Sequence, residues 1–269
     1  MRLLVHAKKL FSTFGINPFH LLYSLKNLPA YIGDYFIFRR KVKRSIGSLE
    51  AISFYPCLTD KNAQGGTASG HYFWQDLLVA QRIFSRNPRA HLDIGSRLDG
   101  FVAHVASFRH LDVLDIRPVK SSIPNVSFVQ GDMSDPGLIN CLSSYDSVSC
   151  LHVLEHCGLG RYGDKLDPFG HVHASKVISS LTNPLGTLYV SVPIGQERIE
   201  FNAHRVFNPN TILELFEGQG LSLTSFVYVN DEGNFIDPMI PLAEGGTERS
   251  HRLSYDGNYG CGIFEFKKL

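Results

Sequence analysis

An α/β fold on a mostly parallel sheet is predicted for most of this chain by three observations. From Arg89 onward, short apolar runs of strand length alternate with segments of helical periodicity. Several of those runs stop at glycine or aspartate, which turn a chain at a strand end. An apolar fraction of 43% against 19% charged residues supplies a core large enough to cover both faces of a sheet.

The elements follow in order. Residues 1–50 read as a basic extension of short amphipathic helices, broken near Pro18 and Pro29, and residues 51–269 as the α/β domain. "HYFWQDLLVAQRIFSRNP" predicts a helix presenting Phe73, Leu77, Leu78, Ala80, Ile83 and Phe84 on one face and ending at Asn87 and Pro88. "AHLDIGS" predicts a strand stopped by glycine, and "GFVAHVASF" a helix. "HLDVLDI", "NVSFVQGD" and "YDSVSCL" predict further strands. "HASKVISSLTN" is a helix and "GTLYVSVPI" a strand rich in β-branched residues. In "NPNTILELFEGQG", Asn208 suits an N-cap and Pro209 the first helical position. "LSLTSFVYV" and "GCGIFEFKK" close the sheet.

Charge is unevenly placed. Residues 1–45 hold nine Lys and Arg against Asp34 alone, a net +8, so the remainder is −7. A solvated helical face is the plainer reading of that basic extension; contact with an anionic membrane surface is the functional one. No aromatic-basic platform points to nucleic acid. "MRLLVHAKKLF" has too short an apolar run for a secretory leader, and the most apolar early window contains Lys26, Pro29 and Asp34. Five cysteines without a CxxC pair read as reduced thiols, so a cytoplasmic location, peripheral to the membrane at most, is expected.

In parallel sheets, ligands bind at the carboxyl ends of the strands. The first strand ends in Asp93, Gly95 and Ser96, where a glycine turn lets backbone approach a ligand. The second ends in Asp115 and Ile116, 22 residues after Asp93, with an acid able to accept ribose hydroxyls. The third ends in Asp132 and Met133, with an acid placed for an adenine amino group. Each alone is a weak signal; the ordered set points to a nucleoside-containing cofactor.

The fourth strand runs into His152, Glu155 and His156, an H-x-x-E-H pattern. On a helix this pattern binds zinc. Here a strand precedes it and Gly158, Gly160 and Gly163 follow, so a polar loop over the pocket is expected and no metal ligand set is assigned. His152 or His156 is a candidate general base, with Glu155 orienting one of them. Arg161 and Tyr162 in the same loop are candidate substrate contacts. The bland alternative is that these residues only shape the loop.

These motifs resemble the class I S-adenosylmethionine (SAM)-dependent methyltransferases across about residues 89–230, through "HLDIGS", "VLDIRP", "VQGDM", "YDSVSCLHVLEH" and "LTNPLGTLYVSVP". More narrowly the chain resembles the uncharacterised DUF268 family, through "GHYFWQDLLVA", "SCLHVLEHCGLGRYGD", "FNAHRVF" and "YGCGIFEFKK". The resemblance implies a Rossmann-like, seven-stranded methyltransferase fold with SAM as cofactor. It also implies methyl transfer to an oxygen or nitrogen of a small-molecule or glycan-type acceptor, in keeping with bacterial members found among surface-polysaccharide genes. It places Asn202, His204 and Arg205, after the fifth strand, on the acceptor side. The family's turn carries glycine at alternate positions, whereas this chain has Arg97 and Asp99 there. That departure motivates a second reading, a non-catalytic scaffold that has lost SAM. A third reading is a metal-dependent hydrolase using the histidine loop, with His171 and His173 beside His152 and His156.

Overall fold

The computed structural model describes residues 11–238 and 252–269, apart from 16, 46–51, 62, 64, 134, 136 and 139–141. The chain divides into two compact units, residues 1–67 and 68–269. The division falls beyond residue 50 because the segment after it packs on the N-terminal helix.

That helix, α1 (Pro18–Ser45), is continuous through Pro29 rather than broken there. Tyr35 Oη donates to the Ile52 carbonyl at 3.2 Å, and Asn27 Nδ2 to that of Leu58 at 2.8 Å. Tyr31 meets Phe54 edge-on at 5.0 Å. Among the described residues, no helix is long and apolar enough to cross a membrane.

In the second unit, α2 (His71–Arg86) leads into β1 (His91–Ile94). A wide turn, Leu98–Val102, continues into the short helix α3 (Ala103–Ala106). Strands β2 (Leu111–Asp115), β3 (Val126–Gln130) and β4 (Tyr145–Leu151) come next. Then follow α4 (Gly170–Leu181), β5 (Thr182–Ile194), the hairpin β6 (Arg198–Glu200) and β7 (His204–Val206), and α5 (Pro209–Glu217). The chain closes with β8 (Leu221–Val229), β9 (Phe235–Ile236) and β10 (Gly260–Lys268).

The sheet order is β3-β2-β1-β4-β5-β10-β8-β9. The first five strands are parallel, and β10 is antiparallel to both its neighbours. Seven strands form the expected sheet; the two-residue β9 adds an eighth. Side chains alternate along each strand, and each face builds its own core. On one face Leu188, Val190 and Val192 of β5 pack with Ile178 of α4 and Phe216 of α5. On the other, Tyr189 and Ile263 pack with Val79 and Ile83 of α2. The α5 cap is as expected: Asn208 Oδ1 accepts from the Asn210 N–H at 3.0 Å, with Pro209 at the first helical position.

The buried face of α2 is not the expected one. Gln75, Asp76, Val79, Ala80 and Ile83 point inward, while Phe73 and Phe84 are exposed. Two polar residues at the start of the inner face turn towards the carboxyl ends of the strands. Farther along α2, Arg82 and Arg86 converge on the buried carboxylate of Glu265 in β10.

Candidate functional site

A cavity of about 360 Å³ lies across the carboxyl ends of β1 to β4. Gly95 and Ser96, Asp115 and Ile116, Asp132 and Met133, and His152 and His156 all line it. Four successive strand ends therefore meet at one place, as parallel topology requires.

At the end of β1 the backbone turns through Gly95, whose φ of 67° is the left-handed conformation glycine tolerates. Its N–H donates to the Leu114 carbonyl at 2.7 Å, tying the turn to β2. Asp93 lies beneath this turn, fully buried and outside the cavity lining. Its Oδ1 accepts from Ser96 Oγ at 2.8 Å and Ser149 Oγ at 2.6 Å, and Oδ2 from the Ser96 N–H at 3.2 Å. Burial pushes the Asp93 carboxyl up to about 7, against the pull of the serine bonds.

Asp93 has a consequence for stability. The folded state holds a proton on it more tightly than the unfolded chain, so folding loses stability as pH rises from about 4 to about 7. A shift of this size corresponds to roughly 4 kcal/mol. Asp93→Asn cannot ionise and should flatten that slope. Urea midpoints at pH 5 and pH 8 check it: the wild type should lose more stability between them than the variant, and equal losses would contradict the assignment.

Arg97 and Asp99 lie at the rim. They pair at 2.8 Å with both side chains exposed, and the Arg97 guanidinium sits 5.8 Å from the Tyr72 ring centroid. Arg97 also lines the cavity, while Val153 packs against Gly95, within 3.0 Å of where a Cβ would stand. At the end of β2, Asp115 is engaged by Arg117: Nε donates to Oδ1 at 3.0 Å, Nη2 to Oδ2 at 2.6 Å and the backbone N–H to Oδ1 at 2.8 Å. Arg117 also faces the Tyr162 ring at 4.8 Å.

The H-x-x-E-H segment forms no long helix. His152 follows β4 directly with φ 55°, and Leu154–His156 make one 3-10 turn. Glu155 is buried behind the cavity lining, and its Oε1 bonds His152 Nδ1 at 2.7 Å. Burial disfavours the His152 imidazolium, but contact with Cys261 and the bonded Glu155 carboxylate outweighs it and holds its pKa well above the ordinary value. His156 differs. Its Nδ1 bonds the Ala203 carbonyl at 2.6 Å, and burial lowers its pKa, with Glu155 and Ala203 pulling the other way. The bond to a carbonyl makes Nδ1 the protonated nitrogen and leaves the lone pair on Nε2.

The loop beyond is held from inside. Asp164 accepts from the N–H groups of Gly158 at 2.7 Å, Gly160 at 3.2 Å and Tyr162 at 3.2 Å. Gly158, at φ 80°, passes so close to Asp167 that a Cβ there would lie 2.0 Å from its carbonyl oxygen. Arg205 is buried and donates to the carbonyls of Cys157 at 2.6 Å and Pro168 at 3.2 Å, so it braces this loop.

Of the acceptor-side candidates, Tyr162 lines the cavity. Arg161 bonds the Ala203 carbonyl at 3.0 Å, and Asn202 is exposed between β6 and β7. The His204 ring packs on Tyr259 at 5.2 Å. Sequence reasoning gave no role to Tyr72, Gln75, Asp76 or Arg117, all of which line the cavity. The signal available for the α2 residues was two adjacent polar positions, Gln75 and Asp76, inside an apolar helical pattern.

Comparisons with known proteins follow the same lines. Residues 114–232 match the family model described as Caenorhabditis protein of unknown function, DUF268. The DUF268 match thus runs from the end of β2 to just before β9. No curated protein matches the chain. Among solved structures, it is similar to 1,6-didemethyltoxoflavin-N1-methyltransferase from Burkholderia thailandensis, crystallised with its substrate and S-adenosylhomocysteine (SAH). That pair has a TM-score of 0.50 and 13% identity, covering 90% of this chain and 89% of that one. It is also similar to N-methyltransferase NodS from Bradyrhizobium japonicum WM9, with TM-score 0.48, 13% identity and coverages of 74% and 88%. A putative methyltransferase from Bacillus halodurans C-125 gives TM-score 0.47, 14% identity and coverages of 72% and 98%. At these identities the likeness is one of fold: the second unit has the Rossmann-like fold of class I SAM-dependent methyltransferases.

Proposed function

We propose that the α/β unit is a SAM-dependent methyltransferase that modifies an oxygen or nitrogen of a small-molecule or glycan-type acceptor. The observation that carries this reading is the convergence of four strand ends on one cavity, with Gly95 in the left-handed conformation at its first turn.

The residues present fit the cofactor. The volume, about 360 Å³, falls in the range of small-ligand sites, roughly 300–1,000 Å³. Ile94, Leu114, Ile116 and Met133 give it apolar lining, and Asp115 and Asp132 give it acceptors for hydroxyl and amino groups. Arg117 uses three of the roughly four lone-pair positions of the Asp115 carboxylate. Its side chain is 52% exposed, so it can move aside at little cost.

When bound, SAM supplies an electrophilic methyl group. The chain supplies position and a proton acceptor. His156 is held by the Ala203 carbonyl with its Nε2 lone pair available, and it lines the cavity. It takes the proton of the acceptor hydroxyl or amine as the acceptor gains its methyl group. Glu155 Oε1, 3.7 Å from Nε2, favours the imidazolium that results.

A second reading, a methyltransferase-fold scaffold without cofactor, draws support from the Arg117–Asp115 pair across the ribose-recognising acid. Thermal unfolding with SAH separates the two. At 100 times its dissociation constant, SAH should stabilise the protein by about 2.7 kcal/mol. An unchanged transition at millimolar SAH would favour the scaffold.

A further inference from the structure

Three residues remote in sequence meet at the carboxyl edge of the sheet. His71 is the first residue of α2, His152 follows β4 directly, and Cys261 is the second residue of β10. One donor atom from each lies within 4.8 Å of the others. The two imidazoles are stacked, 5.4 Å apart with an interplanar angle of 3°. His152 is 8% exposed and Cys261 is fully buried.

The surroundings are those of a metal-ligating histidine. Glu155 holds His152 Nδ1 at 2.7 Å and fixes the ring, while the buried Nε2 has no hydrogen-bond partner. A carboxylate behind an imidazole whose other nitrogen is available is the usual support for a bound metal ion. The His71 ring also stacks on the Tyr259 ring, 5.4 Å between centroids. Two imidazoles and a thiolate form a borderline-soft donor set, which selects zinc over magnesium, calcium or manganese. The thiolate and the Glu155 carboxylate balance the two charges of such an ion. Tetrahedral zinc needs donor separations of about 3.3–3.8 Å. The cluster therefore closes by roughly 1 Å on binding, a movement within reach of the half-buried His71 at a helix end.

We infer that His71, His152 and Cys261 bind a zinc ion with a fourth position facing the cavity. His152 lines the cavity itself, and Tyr72 and Gln75 line it beside His71. A water or an acceptor hydroxyl would take the fourth position. Binding releases the thiol proton of Cys261 and the second imidazole proton of His152, so both leave as the metal enters. The site rests on its own geometry and stands or falls independently of SAM.

The test uses the full chain with zinc(II) and cobalt(II) alone as probes. Competition with a chromophoric chelator should give one equivalent of tightly bound zinc. Cobalt(II) should give a near-ultraviolet thiolate-to-metal band that Cys261→Ser lacks. Zinc affinity should fall at least roughly tenfold in Glu155→Gln, further in His71→Ala, and not at all in His173→Ala, which alters an exposed histidine paired with Asp167. Folding of each variant is checked by circular dichroism. Should a variant not fold, the wild-type cobalt spectrum still decides. No saturable zinc binding by folded wild type, or bound cobalt without the thiolate band, would overturn the inference.

Discussion

His156→Ala is expected to lower turnover by roughly 10²–10⁴-fold while leaving SAM affinity little changed. The expectation follows from how one ring is held. The Ala203 carbonyl fixes its Nδ1–H at 2.6 Å, so the nitrogen carrying the lone pair is Nε2. Burial keeps the ring below the ordinary histidine range, against the pull of Glu155 and Ala203, while Arg161 and His152 push the same way as burial. The ring is therefore neutral at pH 7 and able to accept a proton. Activity should fall as pH drops through that lowered pKa, and the alanine variant should lack this acidic limb. Initial rates against pH, with SAM binding measured separately, check both parts. Full turnover in the variant would remove His156 from the chemistry.

Glu265→Ala should destabilise the fold by about 3–5 kcal/mol, lowering the melting temperature by roughly 10 °C. Glu265 is 3% exposed and meets Arg82 at 3.0 Å, Arg86, and Thr224 Oγ1 at 3.0 Å. Arg82 also donates to Ser225 Oγ, and Arg86 to Thr187 Oγ1. One carboxylate thus joins α2 to β10, β8 and β5. Its removal leaves two guanidinium groups, 22% and 45% exposed, facing each other without their carboxylate. Glu265→Gln keeps the shape and should cost less. Urea unfolding with an unchanged m-value is the check. A loss below about 1 kcal/mol in the alanine variant would mean that the arginines find solvent instead.

Much of the fold was legible because local signals and global packing agree. Asn208 and Pro209 cap α5 where the sequence placed them, and β1, β2 and β4 stop at the residues that punctuate them. The strand before His152 also told against a zinc-protease helix, and the segment forms a single 3-10 turn. The face of α2 was misread for a physical reason. Apolar periodicity assigns Phe73 and Phe84 inward, but Gln75 and Asp76 are buried there by their place beside the strand ends. Pro29 predicted a break where α1 continues. The family resemblance places Arg205 on the acceptor side, whereas three backbone carbonyls hold it inside. The meeting of His71, His152 and Cys261 had no spacing to announce it. It exists because β10 inserts between β5 and β8 and brings residue 261 beside the end of β4.

The central claim is that the cavity across the strand ends binds SAM. Calorimetric titration of the purified full chain with SAM and with SAH, beside Asp115→Ala, tests it most directly. The account predicts saturable one-to-one binding of both ligands by the wild type and a loss of at least roughly tenfold in affinity when the acceptor for the ribose hydroxyls is removed. No heat of binding from folded wild-type protein at several temperatures would contradict it, as would equal affinities in wild type and variant.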